Sequence, residues 1–239
     1  KYAFHQADIR RLRTMYRLFE QEAQKAVEKG LAVPALDYLL RCSHTFNLLD
    51  TRGAVGVTER AAFFARMRAQ AKAIAEDLKA LLEPACHRIG IAGSIRRRKP
   101  FANDIELLCI PKKHIGVDYP ALLHTEVYKL MSQGILDFRI NSRGSAIYGP
   151  KNKFMVHVPS GIGVDIFSTT EECWPVALVV RAGGEKTNKR IAVVAIKKGW
   201  KWHAYGSGFS TPDGELVCRS ERDVFEFVGL RYLEPWERE

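Results

Sequence analysis

Nowhere does this chain hold an apolar run long enough to span a bilayer, and no secretory leader is visible. Cysteine is scarce and scattered: Cys42, Cys86, Cys109, Cys173 and Cys218 include no C-x-x-C pair, so neither a zinc site nor a disulfide framework is expected. These absences lead to the expectation of a reducing, intracellular compartment, cytoplasmic or nucleoid/nuclear, with no membrane partner. The first residue, Lys1, leads to the further expectation of a trimmed or processed start. Acid is also in short supply, with 27 Asp and Glu against 37 Lys and Arg and a net charge of +10. A surface short of acid argues for a polyanionic partner, nucleic acid before membrane. The shortage is uneven. Residues 1–92 carry 15 basic and 10 acidic side chains and residues 93–170 carry 11 and 6, whereas residues 171–239 balance at 11 and 11.

What is present begins with helical periodicity. Ile9, Leu12, Tyr16, Phe19, Ala23 and Val27 recur at three or four residues, which predicts an amphipathic helix ended by Gly30. Its other face carries Arg10, Arg11, Arg13, Arg17 and Lys25, either a solvated face or one that meets phosphates. Pro34 can open a second helix over residues 35–42, and residues 47–56 read as loop. Within that loop, Gly53-Ala-Val-Gly56 before a helix partly matches a helix-hairpin-helix turn, though its glycine spacing departs from the usual form. Phe63, Met67, Ala71, Ile74, Leu78 and Leu81 form the stripe of a third helix, from near Thr58 to just before Pro84.

The chain is organised around residues 93–106, GSIRRRKPFANDIE. Apolar runs at 89–92 and 105–110 flank the segment and read as buried strands. On a strand, residues i and i+2 share a face, so Asp104 and Glu106 stand side by side while Ile105 turns into the core. Two carboxylates held this close repel each other unless a cation lies between them. Oxygen ligands of this kind suit Mg²⁺, which takes one or two protein carboxylates and completes its shell with water and phosphates. Gly93 lets a phosphate approach the backbone, Ser94 can donate to it, and Arg96, Arg97, Arg98 and Lys99 can grip further oxygens or form a solvated basic turn.

Beyond this segment, residues 111–116 read as a basic loop and residues 122–131 as a helix. Residues 135–140 and 145–148 are short strand candidates, and residues 153–158 and 164–167 pair as a hairpin. The order, βαβ and then antiparallel strands, predicts a mixed sheet. Helices follow at 174–181 and 188–198, the second keeping Lys189 and Arg190 in water. Strands at 199–205 and 216–218 with a turn at 212–214 come next, then a helix over 221–228 capped by Ser220.

GS-x-R-R followed by D-x-[DE] resembles the signature of the nucleotidyltransferase superfamily. The spacing from Ser94 to Asp104, with Arg97 adjacent, is similar to that of the family X DNA polymerases, the group related to DNA polymerase beta. That superfamily uses a third carboxylate on a later strand, and GVDIF at residues 163–167 supplies Asp165 there. RAGGEKTNK at 181–189, then KKGWKWHAYG, then SERDVFEFVGLRYLEPWERE, resemble the family X thumb. The resemblance covers roughly residues 60–239. Residues 1–57 do not resemble the family's lyase domain, and no lyase activity is expected.

The resemblance implies an α+β fold. Residues 1–86 would form an N-terminal helical lobe with a DNA-binding role open to it, residues 87–170 a mixed-sheet nucleotidyltransferase palm, and residues 171–239 a small α/β thumb. It implies nucleotide transfer from a nucleoside triphosphate to a DNA primer 3′-hydroxyl, in repair or gap filling, by a monomer bound to primer/template DNA. Two Mg²⁺ ions, replaceable by Mn²⁺, would be held by Asp104, Glu106 and Asp165, the last binding only the ion at the primer hydroxyl. Gly93, Ser94, Arg97 and Asn188 would hold the nucleotide and Lys189 and Arg190 the DNA. Asn188 also reads as a helix N-cap, and Arg96 could compete with Arg97 for the phosphates. The chain departs from the family at three places: Glu106 for Asp, Asn103 for Gly, and Val180-Arg181 for the Tyr-Phe pair that lines the sugar pocket. The same chemistry on RNA, a protein or a small molecule, untemplated addition, and a non-catalytic DNA-binding module are the rival readings.

Overall fold

Strict alternation along Asp104–Pro111 fixes the architecture. Ile105, Leu107 and Cys109 are fully buried on one side and alternate with Asp104, Glu106, Leu108 and Ile110 on the other. The structure, a computed structural model, describes residues 2–29, 32–99, 102, 104–112 and 121–239. Gly30, Asn103 and the basic stretch 113–116 lie outside the described residues, as do the side chains of Val27, Phe63 and Met67.

Three long helices come first: α1 (Ile9–Glu28), α2 (Ala32–Thr51) and α3 (Val57–Leu82). Helix α2 continues to Thr51, so residues 47–51 are helix and not loop. Phe46 and Leu49 extend its apolar face onto Leu12 of α1, which keeps those turns wound. The turn after it has Gly53 at φ 65°, and its Ala54 carbonyl accepts from Arg13 Nη2 at 2.6 Å.

A five-stranded sheet follows. Its strands are β1 (Cys86–Ile91), β2 (Asp104–Pro111), β3 (Leu136–Phe138), β4 (Asn152–His157) and β5 (Ile162–Ser168), in the spatial order β1-β2-β5-β4-β3. A single turn of helix, α4 (Gly93–Arg96), joins β1 to β2, and α5 (Ala121–Ser132) precedes β3. The sheet is mixed as expected, but its order corrects the simple βαβ reading. Helix α5 delivers the chain to the far edge, and β5 enters beside β2 as the parallel neighbour, while the other pairings are antiparallel. Residues 145–148 form no strand, only isolated bridges at Ala146 and Tyr148, because the segment is exposed and Asn141 Oδ1 accepts from the N–H groups of Arg143 and Ser145 to close a local turn.

Ala71, Ala75, Leu78 and Leu82 lie at helical spacing on α3 and share one core with Leu123, Val127 and Leu130 of α5 and the inward residues of the sheet. The second half of α3 therefore packs with the sheet. Across the other sheet face lies α6 (Trp174–Ala182), whose Trp174 covers Leu108, Ile110 and Phe167. Helix α7 (Glu185–Lys197), the small sheet β6 (Lys201–Trp202), β7 (Gly208–Thr211) and β8 (Gly214–Val217), and α8 (Glu221–Glu226) gather with α6 around Val179, Ile191, Phe209 and Phe225. Ser220 caps α8 as predicted, in a reciprocal capping box with Asp223. Among the described residues no helix is long and apolar enough to cross a membrane, and none of the cysteines is in a disulfide.

Sheet and C-terminal unit are tied by one carboxylate. Glu221 receives Arg96 through two bonds of 2.6 and 3.1 Å, Arg238 Nη2 at 3.1 Å and the Tyr232 hydroxyl at 3.4 Å, and the Arg238 side chain is fully buried. Removing the shared acceptor strands two guanidiniums, one with no access to water. Glu221→Ala is therefore expected to destabilise the protein by about 3–5 kcal/mol in urea unfolding, and Arg96→Ala by less, since Glu221 keeps Arg238.

Candidate active site

The alternation that fills the core with Ile105 and Leu107 leaves Asp104 and Glu106 on the opposite face. Parallel pairing then sets Glu106 opposite Asp165 and Asp104 opposite Gly163. Opposed residues of paired strands share a face, so strands whose carboxylates lie some sixty residues apart present all three on one surface. The Trp174 cluster covers the far half of that surface and stops short of the acidic half.

Gly93 follows β1 at φ 62°, a conformation suited to glycine, and a Cβ there would stand 2.5 Å from Glu106 Oε1. The backbone thus presses directly on the carboxylate. Ala92 N–H donates to Glu106 O at 2.8 Å and locks this register. Beside the turn, Ser94 Oγ is buried without a hydrogen-bond partner.

Crowding shows in the protonation equilibria. Burial, then Asp104, then Asp165 push the Glu106 carboxyl up to about 7 from its ordinary 4.5, against a counter-pull from Arg181 and Arg97. Burial also raises Asp165 above its ordinary 3.8, with Arg139 pulling the other way. Arg139 Nη2 lies 2.6 Å from Asp165 Oδ1, an ion pair whose N–H is not aligned as a hydrogen bond. Among the described residues no group of three or more His, Cys, Asp or Glu could hold a metal ion as placed. The donor set nevertheless has divalent-cation chemistry: all oxygen, mutually repelling, and next to an orphaned hydroxyl.

The arginine run is engaged residue by residue. Arg96, the rival for the phosphates, is held by Glu221. Arg97 Nη1 donates to the Ala182 and Gly183 carbonyls at 2.7 and 3.0 Å, closing the end of α6, while its buried Nε has no partner. The Arg98 guanidinium sits 4.0 Å from the centre of the Trp236 ring. Asn188 is not an N-cap. Helix α7 begins three residues earlier with Gly184 as its cap, because the glycine pair already frees the backbone to turn. Asn188 Nδ2 donates to Val180 O at 2.9 Å and its Oδ1 is buried and unpartnered. Lys189 and Arg190 are exposed on α7, Lys189 paired with Glu185. Arg181 stacks 3.6 Å from the Phe167 ring centre and lies 5.7 Å from that of the exposed Tyr205.

Sequence reasoning missed Arg139. Its only trace is Gly163, two residues before Asp165 and on the same face, where the missing side chain leaves room for something to enter.

Residues 177–239 match the model of the DNA polymerase beta thumb, and residues 1–81 match that of the glycyl-tRNA synthetase alpha subunit. The structure is similar to that of Leishmania infantum polymerase beta in a ternary P/T complex, with TM-score 0.57 and 22% identity over 74% of this chain and 76% of that one. It is similar to the same organism's enzyme in a ternary gap complex, with TM-score 0.58 and 21% identity over 74% and 70%. The fold is therefore that of polymerase beta, with its thumb at the C-terminal end.

The raised carboxyls carry a sign that can be measured. Between about 4.5 and about 7 the folded protein holds a proton on Glu106 that the unfolded chain has released, so stability falls as pH rises through that window. Asp165 adds in the same direction. In chelator, the melting temperature of wild type should drop more than that of Glu106→Gln from pH 5 to 7.5, and parallel curves would contradict the assignment.

Proposed function

We propose that this chain, which has the polymerase beta fold and a polymerase beta thumb, adds nucleotides from nucleoside triphosphates to a DNA primer 3′-hydroxyl. One observation carries the reading: Asp104, Glu106 and Asp165 share one acidic surface against the Gly93–Ser94 turn, where burial and then the two neighbouring carboxylates raise Glu106 to about 7. Asp104 and Glu106 would hold both of two Mg²⁺ ions and Asp165 the one nearer the primer hydroxyl, and Mn²⁺ would accept the same ligands. Bound there, the ions would neutralise charge on the attacking and leaving oxygens of an in-line displacement.

The remaining roles fall to the chain's own groups. The tight turn at Gly93 exposes backbone to a phosphate, and the unpartnered Ser94 Oγ supplies a donor. Arg97 Nε offers a further donor, and the buried Asn188 Oδ1 an acceptor for the incoming nucleotide. Asp165, raised by burial, is suited to take the proton from the primer hydroxyl. Lys189 and Arg190 present charge to the DNA backbone. The two Leishmania structures are ternary complexes, one named for a gap, which supports DNA as partner; gap filling in repair by a monomer is the setting we propose. The match of residues 1–81 to a tRNA synthetase subunit favours one second reading, an RNA end as acceptor. Extension of DNA and RNA primers, each with and without template, separates the two and detects untemplated addition.

If Asp165 serves only the ion at the primer, Asp165→Ala should slow single-turnover incorporation on the order of a thousandfold while nucleotide affinity is kept. Asp104→Ala should lose both. An Asp165→Ala enzyme retaining more than about a tenth of the wild-type rate would refute the three-carboxylate site.

The resemblance puts Val180 and Arg181 where the family has its Tyr-Phe pair, and the Arg181 guanidinium is drawn over the Phe167 ring, 3.6 Å from its centre. Ribonucleotides should be rejected less than about a thousandfold relative to deoxynucleotides opposite the same base, or about 4 kcal/mol. The ratio of incorporation efficiencies measures this directly.

A further inference from the structure

We propose that Arg139 is a positioning residue that stands in for a divalent cation at Asp165 and must swing off the carboxylate before the ion binds. The inference rests on the metal-bearing reading of the site and concerns how that site is kept in the ion's absence.

Arg139 follows β3, and its main-chain N–H donates to Phe154 O at 3.1 Å, which fixes its backbone beside β4. Phe154 is opposite Asp165 across the β4–β5 pair, so ring and carboxylate share a face. The Arg139 guanidinium carbon lies 5.1 Å from the centre of that ring, and Nη2 reaches 2.6 Å from Asp165 Oδ1. A planar cation is thus laid over an aromatic face with its edge on the acid.

The seat exists because residue 163 is glycine. A Cβ at Gly163 would collide with Arg139 Nη1 and would lie 3.6 Å from Asp104 Cβ. Gly163 is the cross-strand partner of Asp104 and two residues from Asp165, so the guanidinium lies over Gly163 on the acidic face, paired with Asp165. On the metal-bearing reading, a guanidinium seated on Asp165 competes with an ion for that carboxylate.

Two features let it leave. The pair is close but falls outside aligned hydrogen-bond geometry, so charge and the Phe154 ring face are what hold the guanidinium there. The Arg139 side chain is 35% exposed against 13% for Asp165, so the cation has a short way to water while the acid stays where it is. An arriving divalent ion repels the guanidinium and carries twice its charge, which favours exchange. Arg139 thereby blunts the repulsion among the carboxylates when no ion is bound, at the cost of weaker ion affinity.

The test uses the full chain stripped with chelator, and Mn²⁺ alone as probe, counted by electron paramagnetic resonance with neither nucleotide nor DNA. Arg139→Ala should tighten Mn²⁺ binding about tenfold or more, and Arg139→Lys, a smaller cation without the planar stack, should fall between. Gly163→Ala should also tighten it, although net charge is unchanged, because the new methyl displaces Nη1. Adding Asp165→Asn to Arg139→Ala should abolish the gain. Should Arg139→Ala fail to fold, as judged by its melting curve in chelator, Arg139→Gln replaces it at similar size. Unchanged or weakened Mn²⁺ binding in both the uncharged variant and Gly163→Ala overturns the proposal. A wild type that shows the predicted Mn²⁺ pattern but extends no primer leaves Arg139's role standing and overturns the polymerase reading alone.

Discussion

Mutual repulsion among three carboxylates on one half-buried sheet surface is the constraint to which the rest of this molecule answers. Asp104 and Glu106 are forced together by strand alternation and Asp165 is brought opposite by parallel pairing, so none can retreat without breaking the register that buries Ile105, Val164 and Ile166. Burial and its neighbours hold a proton on Glu106 up to about 7, and cations approach from three directions: Arg139 from the β3 side, Arg181 from the end of α6, Arg97 from the Gly93 turn. The apolar core thus imposes the crowding that makes the opposite face hungry for positive charge. Burying like charges would be a defect in a structural sheet. On the proposed function, the same arrangement would supply the oxygen ligands that divalent ions need.

The same turn that presses on Glu106 also governs where the C-terminal unit sits. Arg96, Arg97 and Arg98 leave a single short stretch of backbone and fasten to Glu221, to the end of α6 and to Trp236. The Arg98 backbone is itself at φ 55°, an unusual conformation for a side-chain-bearing residue. Anything that shifts Gly93 or Ser94, such as a phosphate settling on the turn, pulls on three attachments to the thumb. The acidic surface and the placement of the C-terminal unit therefore share one loop.

Much of this was legible in the sequence. Residues 93–106 declared a turn, a basic run and a carboxylate pair by their order, and the helices α1 and α3 by their apolar periods. What failed to show depended on long-range geometry. The loop expected at 47–51 is helix because Phe46 and Leu49 meet Leu12 of another helix. The sheet order escaped because β5 is inserted next to β2 by tertiary packing. Nothing in the pattern of residues 153–158 marks Lys153 as interior, and it is fully buried with Nζ donating to Gly149 O at 2.9 Å and its pKa lowered by that burial. Arg139 has no motif around it, and its meaning appears only when a glycine on another strand makes room.

The parallel β2–β5 pair at the centre of the sheet has a bearing on how the chain finds its fold. β3, β4 and β5 form antiparallel neighbours in sequence order, and β1 pairs with β2, the next strand along the chain. These can form early, since small loops are cheap to close. Joining the two halves requires β2 to meet β5 across some sixty residues, a slow, high-contact-order step. The carboxylates of β2 and β5 become neighbours only when these two strands pair, so their repulsion opposes that pairing. A divalent ion captured as the strands meet would then act on the rate of folding as well as on the finished site.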